Sequence, residues 1–151
     1  MKILLVYDSV YGNTETIANA IAEAMPHEIQ AQRVDEADPV ELASADLLII
    51  GSPTHGALPT EAIQALVDRI GPPAHGDARA ATFDTRLTWG FLERWGGFAA
   101  AKIAVLLKEK GWTVTGEPGG FFVRGLKKGP LKKGEVARAA DWAKEIAESV
   151  I

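Results

Sequence analysis

Apolar positions along this chain follow two rhythms. Ile3–Tyr7 and residues 47–50 are continuous apolar runs, the pattern of parallel strands buried on both faces. Residues 28–34 are more polar and predict an edge strand. Residues 78–84, made mostly of small side chains, predict a fourth. Residues 112–115 open a last strand, and Gly119-Gly120 predicts a turn into Phe121-Phe122-Val123. Between the runs the period changes to that of a helix. Ile17, Ala20, Ile21 and Ala24 share one face after Asn13; Ile63, Leu66, Val67 and Ile70 share another. Thr60 is placed to cap the second of these helices, and Gly71 with Pro72 and Pro73 to stop it. Residues 98–110, closed by Gly111, predict a further helix. Val136, Ala140, Ala143, Ala147 and Val150 predict the apolar face of the last. Pro39–Ala43 predicts a short helix before the 47–50 strand.

Strands alternating with helices predict an α/β fold with a parallel sheet between two helical layers. No linker, repeat or low-complexity segment interrupts the 151 residues, so one domain over 1–151 is expected. On such sheets ligands bind beyond the strand C-termini, where the strand order reverses. The loops at residues 8–14, 52–59 and 84–97 are therefore expected to share one site.

The first of these loops carries the strongest chemistry. Ser9-Val10-Tyr11-Gly12-Asn13-Thr14-Glu15 stands between a strand and a helix start. The first N–H groups of a helix lack intrahelical partners, and the helix dipole is positive there. Ser9, Tyr11 and Thr14 add hydroxyl donors, Asn13 an amide, and Gly12 allows close approach or positive φ. The loop has no Lys or Arg, so a phosphate held there is held by neutral donors.

Composition narrows the classes. The net charge of −4 argues against nucleic acid as the main partner. No apolar run approaches a membrane span, so no membrane role is expected. The apolar start, Ile3 to Val6, is broken by Tyr7-Asp8 and fits a first strand better than a signal peptide. The absence of cysteine excludes disulfides, thiolate metal sites and a Cys nucleophile, and fits a reducing, cytoplasmic setting. His27, His55 and His75 lack metal-ligand spacing, so no metal is expected. Asp8 lacks the acidic partner and the later phosphorylatable Asp that a receiver domain needs, and no serine stands in an elbow motif. Lys127, Lys128, Lys132 and Lys133, with Arg124 nearby, flank Gly129-Pro130. They form either a solvated loop or a dock for an acidic partner.

With these features the chain resembles the flavodoxin family, whose phosphate loop reads Ser/Thr-x-Thr-Gly-Asn-Thr-Glu. Tyr11 replaces the middle Thr. The resemblance extends over essentially the whole chain and implies a flavodoxin-like three-layer sandwich with a five-stranded parallel sheet in the order 2-1-3-4-5. It further implies FMN as cofactor, with Ser9 to Thr14 on the 5′-phosphate. The second loop, Gly51-Ser52-Pro53-Thr54-His55-Gly56-Ala57, is similar to the family's flavin-flanking loop. It implies that Pro53, Thr54, His55 and Gly56 lie beside the ring. In flavodoxins a peptide of this loop flips on reduction to meet the proton on flavin N5, and Gly56 or the His55–Gly56 peptide is the candidate here. A plain tight turn is the alternative.

The third loop, with Asp84, Thr85, Arg86 and Trp89, departs from the family, which places a stacking Tyr there among acidic residues. Trp89, Phe91 or Trp95 must supply any stacking, and backbone N–H groups near Thr85 would meet the pyrimidine edge. Reduced flavin is anionic near N1. A cation about 6 Å away stabilises it by roughly 3 kcal/mol at an effective dielectric near 20, which for one electron is on the order of 0.1 V. An inward Arg86 would therefore raise a potential that flavodoxins keep low, whereas a solvated Arg86 would be screened.

The function implied is FMN-dependent electron transfer between a reductase and an acceptor protein, by a monomer or weak dimer in which no side chain is a catalytic acid or base. One alternative is an NAD(P)H-dependent quinone or FMN reductase on the same fold. The missing acidic loop favours it, and the lack of a large insertion opposes it. Another is an interaction module that has lost FMN and stays colourless when FMN is added.

Overall fold

The computed structural model describes residues 1–27, 29, 31–87, 98–124 and 129–150. Chain order is β1 (Ile3–Tyr7), α1 (Asn13–Ala24), β2 (Ala31–Arg33), a 3₁₀ turn (Val34–Glu36), α2 (Pro39–Ala43), β3 (Leu47–Pro53), α3 (Glu61–Arg69), β4 (Arg79–Leu87), α4 (Ala99–Glu109), β5 (Thr113–Val114), β6 (Gly119–Val123) and α5 (Glu135–Val150). All sheet pairings are parallel, in the order β2-β1-β3-β4-β5, with β6 also on β4. The parallel sheet between helical layers is the α/β fold anticipated from the alternation of strands and helices, and its strand order is the flavodoxin-like one that the resemblance implied.

Period-2 alternation divides the core. Ile3, Leu5, Tyr7, Leu47, Ile49 and Phe83 face one side, where they pack with Ile17 and Ile21 of α1 and Ala143 and Ile146 of α5. Val6, Leu48, Ile50 and Ala80 face the other, against Leu42 of α2, Ile63 and Val67 of α3 and Ile103 and Leu107 of α4. Thr60 caps α3 as expected, its hydroxyl accepting from the Ile63 N–H at 3.3 Å.

Several features differ from expectation, each for a physical reason. β3 continues through Pro53 and β4 through Leu87, because Ser52 and Pro53 pair with Asp84 and Thr85. Asp84, Thr85 and Arg86 are therefore strand residues and not a loop. The last strand is split: β5 pairs with Arg79 and Ala80, then β6 pairs with residues 83–87. Gly119 and Gly120 lie within β6, where bare backbone makes room for neighbours; a Cβ on Gly120 would fall 2.3 Å from Arg86 Cζ. On α5 the buried face is Glu135, Ala139, Ala143, Ile146 and Ala147. Val136 is exposed, because the partner of Glu135 lies on β6 and rotates the helix start.

Candidate functional site

The C-terminal ends of β1, β3 and β4 open into a cavity of about 360 Å³. Ten of the residues singled out in the sequence line it: Val10, Tyr11, Asn13, Thr14, Pro53, Thr54, His55, Gly56, Thr85 and Arg86. Leu87 and Val123 complete the wall. Their strand alternation marked them only once β4 and β6 were known to extend this far. Ser9 and Asp84 are buried and Gly12 is exposed, none of them in the lining, and Trp89, Phe91 and Trp95 lie outside the described residues.

The first loop is built around Gly12, which is left-handed at φ +95° and has open space where a Cβ would stand. Its conformation, not crowding, demands glycine. Ser9 is buried, and its Oγ accepts from the Gly12 N–H at 3.1 Å and the Glu15 N–H at 3.3 Å. Ser9 thus serves the third N–H of α1, the N-cap Gly12 offers no side chain, and among the described residues nothing accepts from the Asn13 or Thr14 N–H. Two helix-end donors are thus left for a ligand. Asn13 is not a free donor throughout, since its Nδ2 gives one hydrogen bond of 2.6 Å to the Gly129 carbonyl. This links the loop to the segment returning alongside β6. Buried Thr14 Oγ1 lies 2.8 Å from buried Thr85 Oγ1 and joins the first loop to β4.

The second loop closes as a two-residue turn. His55 and Leu58 exchange both backbone hydrogen bonds, at 2.9 and 3.0 Å. Gly56 (φ +55°) and Ala57 (φ +67°) between them both have positive φ, the type I′ pattern. Thr54 donates its N–H to the Thr85 carbonyl at 2.9 Å, and its Oγ1 accepts from Ala99 N–H at 3.0 Å. The same residue thus anchors the loop to β4 and to the start of α4.

Arg86 takes the inward of the two orientations envisaged for it, its side chain 14% exposed, but not as an unpaired cation. It lines the cavity, yet its guanidinium is held by Asp84 through Nε and Nη2 at 2.7 and 2.8 Å. It also lies over the Phe98 ring, 3.6 Å from the centroid. Asp84 is 0% exposed and also accepts from the Ala100 N–H at 2.9 Å, so it serves the N-terminus of α4. Burial pushes the Asp84 carboxyl above the ordinary carboxylate range, and Arg86, the Ala100 N–H and the Thr54 hydroxyl pull it back. An Asp and an Arg two residues apart share one face of a strand. That alternation is the signal for this pair, and it holds because β4 runs on through Leu87.

On the far side of the first loop, Tyr7 OH donates to Glu15 Oε2 at 3.2 Å and Arg33 Nη1 to the same oxygen at 3.0 Å. Burial first, then the Glu15 carboxylate, raises the Tyr7 phenol, which keeps it a donor. The histidines lie apart: His55 at the cavity, His75 on Asp46 at 2.7 Å, His27 beside a separate surface hollow with Asn19 and Met25. Lys127 and Lys128 lie outside the described residues; Lys132 is exposed, 5.9 Å from the Phe122 ring centroid.

Chemically, the cavity is an apolar slot (Val10, Pro53, Leu87, Val123) with hydroxyl groups inside and a helix N-terminus at one end. It suits a flat ring that carries an anion. A family model described as a flavodoxin domain matches residues 4–76. A flavodoxin of Aquifex aeolicus (strain VF5) is 29% identical over 124 residues, 76% of this chain and 64% of its own. Oxidised Flavodoxin 2 from Bacillus cereus aligns at a TM-score of 0.77 with 25% identity, over 98% of this chain and 99% of that one. Rubredoxin oxygen:oxidoreductase from Desulfovibrio gigas has a TM-score of 0.76 at 20% identity; the match covers 99% of this chain but 36% of that one, a likeness of fold. The chain spans 13%, 64% and 19% of the lengths of three curated relatives it matches. No described helix is long and apolar enough to cross a membrane.

Proposed function

We propose, from the likeness to flavodoxins, that the chain is a flavodoxin-family protein that binds FMN in the 360 Å³ cavity and carries electrons between a reductase and an acceptor protein. The observation that supports this most is the union, in one cavity, of an apolar slot with a helix start whose Asn13 and Thr14 N–H groups have no acceptor among the described residues. Bound FMN supplies the electron chemistry. The protein's part is to bind, orient and exclude water. The Asn13 and Thr14 N–H groups, with the hydroxyls of Ser9, Tyr11 and Thr14, receive the phosphate. Pro53, Thr54, His55 and Gly56 border the ring on one loop, and Thr85 and Arg86 border it from β4. Any stacking on the ring falls to Trp89, Phe91 or Trp95, which lie outside the described residues. No side chain acts as acid or base. Partners are redox proteins that meet the exposed cavity rim. The cysteine-free composition suits a reducing cytoplasm.

The test is the visible spectrum of the purified chain titrated with FMN. Binding at micromolar FMN, with loss of affinity in Gly12→Val, is expected. An unaltered FMN spectrum at those concentrations would sink the proposal. Electron delivery is read separately, as FMN-dependent transfer from a flavin reductase to a haem acceptor. Fast NADPH oxidation with a quinone, by this chain alone, would assign it instead to the reductases.

A further inference from the structure

The phosphate loop has no cation of its own, yet one stands directly behind it. Arg33 ends β2, in register with Tyr7 of β1, so the two side chains share a face under the start of α1. Arg33 does two things there. Its Nη1 pairs with Glu15 at 3.0 Å, and its Nη2 donates to the Ser9 carbonyl at 3.1 Å. Its Cζ lies 5.7 Å from the Tyr7 ring centroid, with the phenol on the same Glu15 oxygen.

Glu15 is the third residue of α1. A carboxylate there is favourable for the bare helix, because it meets the positive end of the dipole. For an anion bound at the same end it is a competitor and a source of repulsion. Arg33 and Tyr7 draw it aside and offset its charge. The Ser9 contact has a separate effect. In a trans peptide the C=O and the following N–H point in opposite directions. A carbonyl held by Arg33 therefore turns the Val10 N–H away from Arg33, and Val10 is a cavity residue.

We propose that Arg33 is a positioning residue for phosphate recognition: it offsets the Glu15 carboxylate and sets the Ser9–Val10 peptide so that a ligand phosphate meets N–H donors and no opposing charge. This rests on the FMN reading above. It goes beyond that reading by assigning the phosphate's selectivity to a residue outside the loop.

The experiment compares FMN with riboflavin, which lacks the phosphate, on the native chain and on Arg33→Gln, Arg33→Lys, Glu15→Gln and the Arg33→Gln/Glu15→Gln pair. Dissociation constants come from fluorescence titration, with circular dichroism to check folding. Arg33→Gln is expected to weaken FMN about fivefold, the scale of a half-exposed charge interaction, with riboflavin changed less than about twofold. The double variant is expected to recover part of the loss, because the opposing carboxylate is gone while the peptide is still unheld. Arg33→Lys, which keeps charge but reaches only one acceptor, is expected to fall between. Equal weakening of both flavins would reduce Arg33 to a structural role and overturn the proposal, as would unchanged FMN affinity or a double variant no better than Arg33→Gln. A native chain that bound riboflavin and FMN equally would overturn the phosphate role while leaving flavin binding intact. One that bound neither would overturn both.

Discussion

Asp84 and Arg86 show how a single pair can reverse what either residue suggests alone. A lone Arg at the cavity wall would favour an anionic reduced ring by roughly 3 kcal/mol at 6 Å. Held bidentate by a fully buried carboxylate, it presents something near a dipole instead. Asp84→Asn removes the counter-charge and leaves the guanidinium in place. The midpoint potential of the FMN-loaded variant is therefore expected to rise by up to about 0.1 V, measured by dye-equilibrated reductive titration. The same substitution is expected to cost about 1–3 kcal/mol in urea unfolding, because the Asp84 contacts to Arg86 and to the Ala100 N–H are weakened. Gly120 belongs to this arrangement, since the guanidinium lies where its Cβ would be.

Two elements carry their own tests. At the start of α5, Glu135 is buried, with its Oε2 accepting the Phe122 N–H of β6 at 2.7 Å and its carboxylate gripped by Arg138. Arg138 chiefly, with the Phe122 N–H, holds its pKa below the ordinary carboxylate value against the opposing effect of burial. A depressed folded pKa means that the contribution is complete above the unfolded value, about 4.3, and is lost as pH falls through the lower folded value. Glu135→Gln is thus expected to lower stability at pH 7 by about 1–3 kcal/mol and to flatten the acid side of a stability–pH curve from urea unfolding. In the 55–58 turn, Ala57 holds a left-handed conformation that costs about 1–2 kcal/mol for a non-glycine residue. Ala57→Gly is expected to stabilise the chain by up to about 1 kcal/mol after the entropy of the added glycine, read in the same urea experiment. These elements also mark what was legible in the sequence. Continuous apolar runs disclosed β1 and β3, and Thr60 disclosed the start of α3, because local pattern and cap decide them. The split of the last strand and the rotated face of α5 were not legible. Both depend on partners far away in sequence, β4 for the one and the Phe122 backbone for the other. In the site, the Ser9 to Thr14 stretch announced itself through residue types. The role of Asp84 did not, because it required the length of β4.

For the molecule as a whole, the first, second and β4-end segments meet only because the sheet places β1 between β2 and β3 and β4 beyond β3. A ligand that bridges them should stabilise the fold as a unit. FMN at one hundred times its dissociation constant is expected to add about 2.7 kcal/mol to unfolding, seen as a raised melting temperature. Riboflavin at the same concentration should add less. The same sheet has a bearing on the company the protein keeps. An open sheet edge is a template on which another chain can add a strand, and through which aggregates grow. Here one edge is the three-residue β2, ending in the charged Arg33, and β5 at the other is two residues long. The longer β6 is itself partly covered: Val123 bridges Leu131, the Lys132 N–H donates to the Phe122 carbonyl, and Arg124 donates to the Pro130 carbonyl. Among the described residues neither margin offers a long, flat, unpaired ribbon, which disfavours association by sheet extension there.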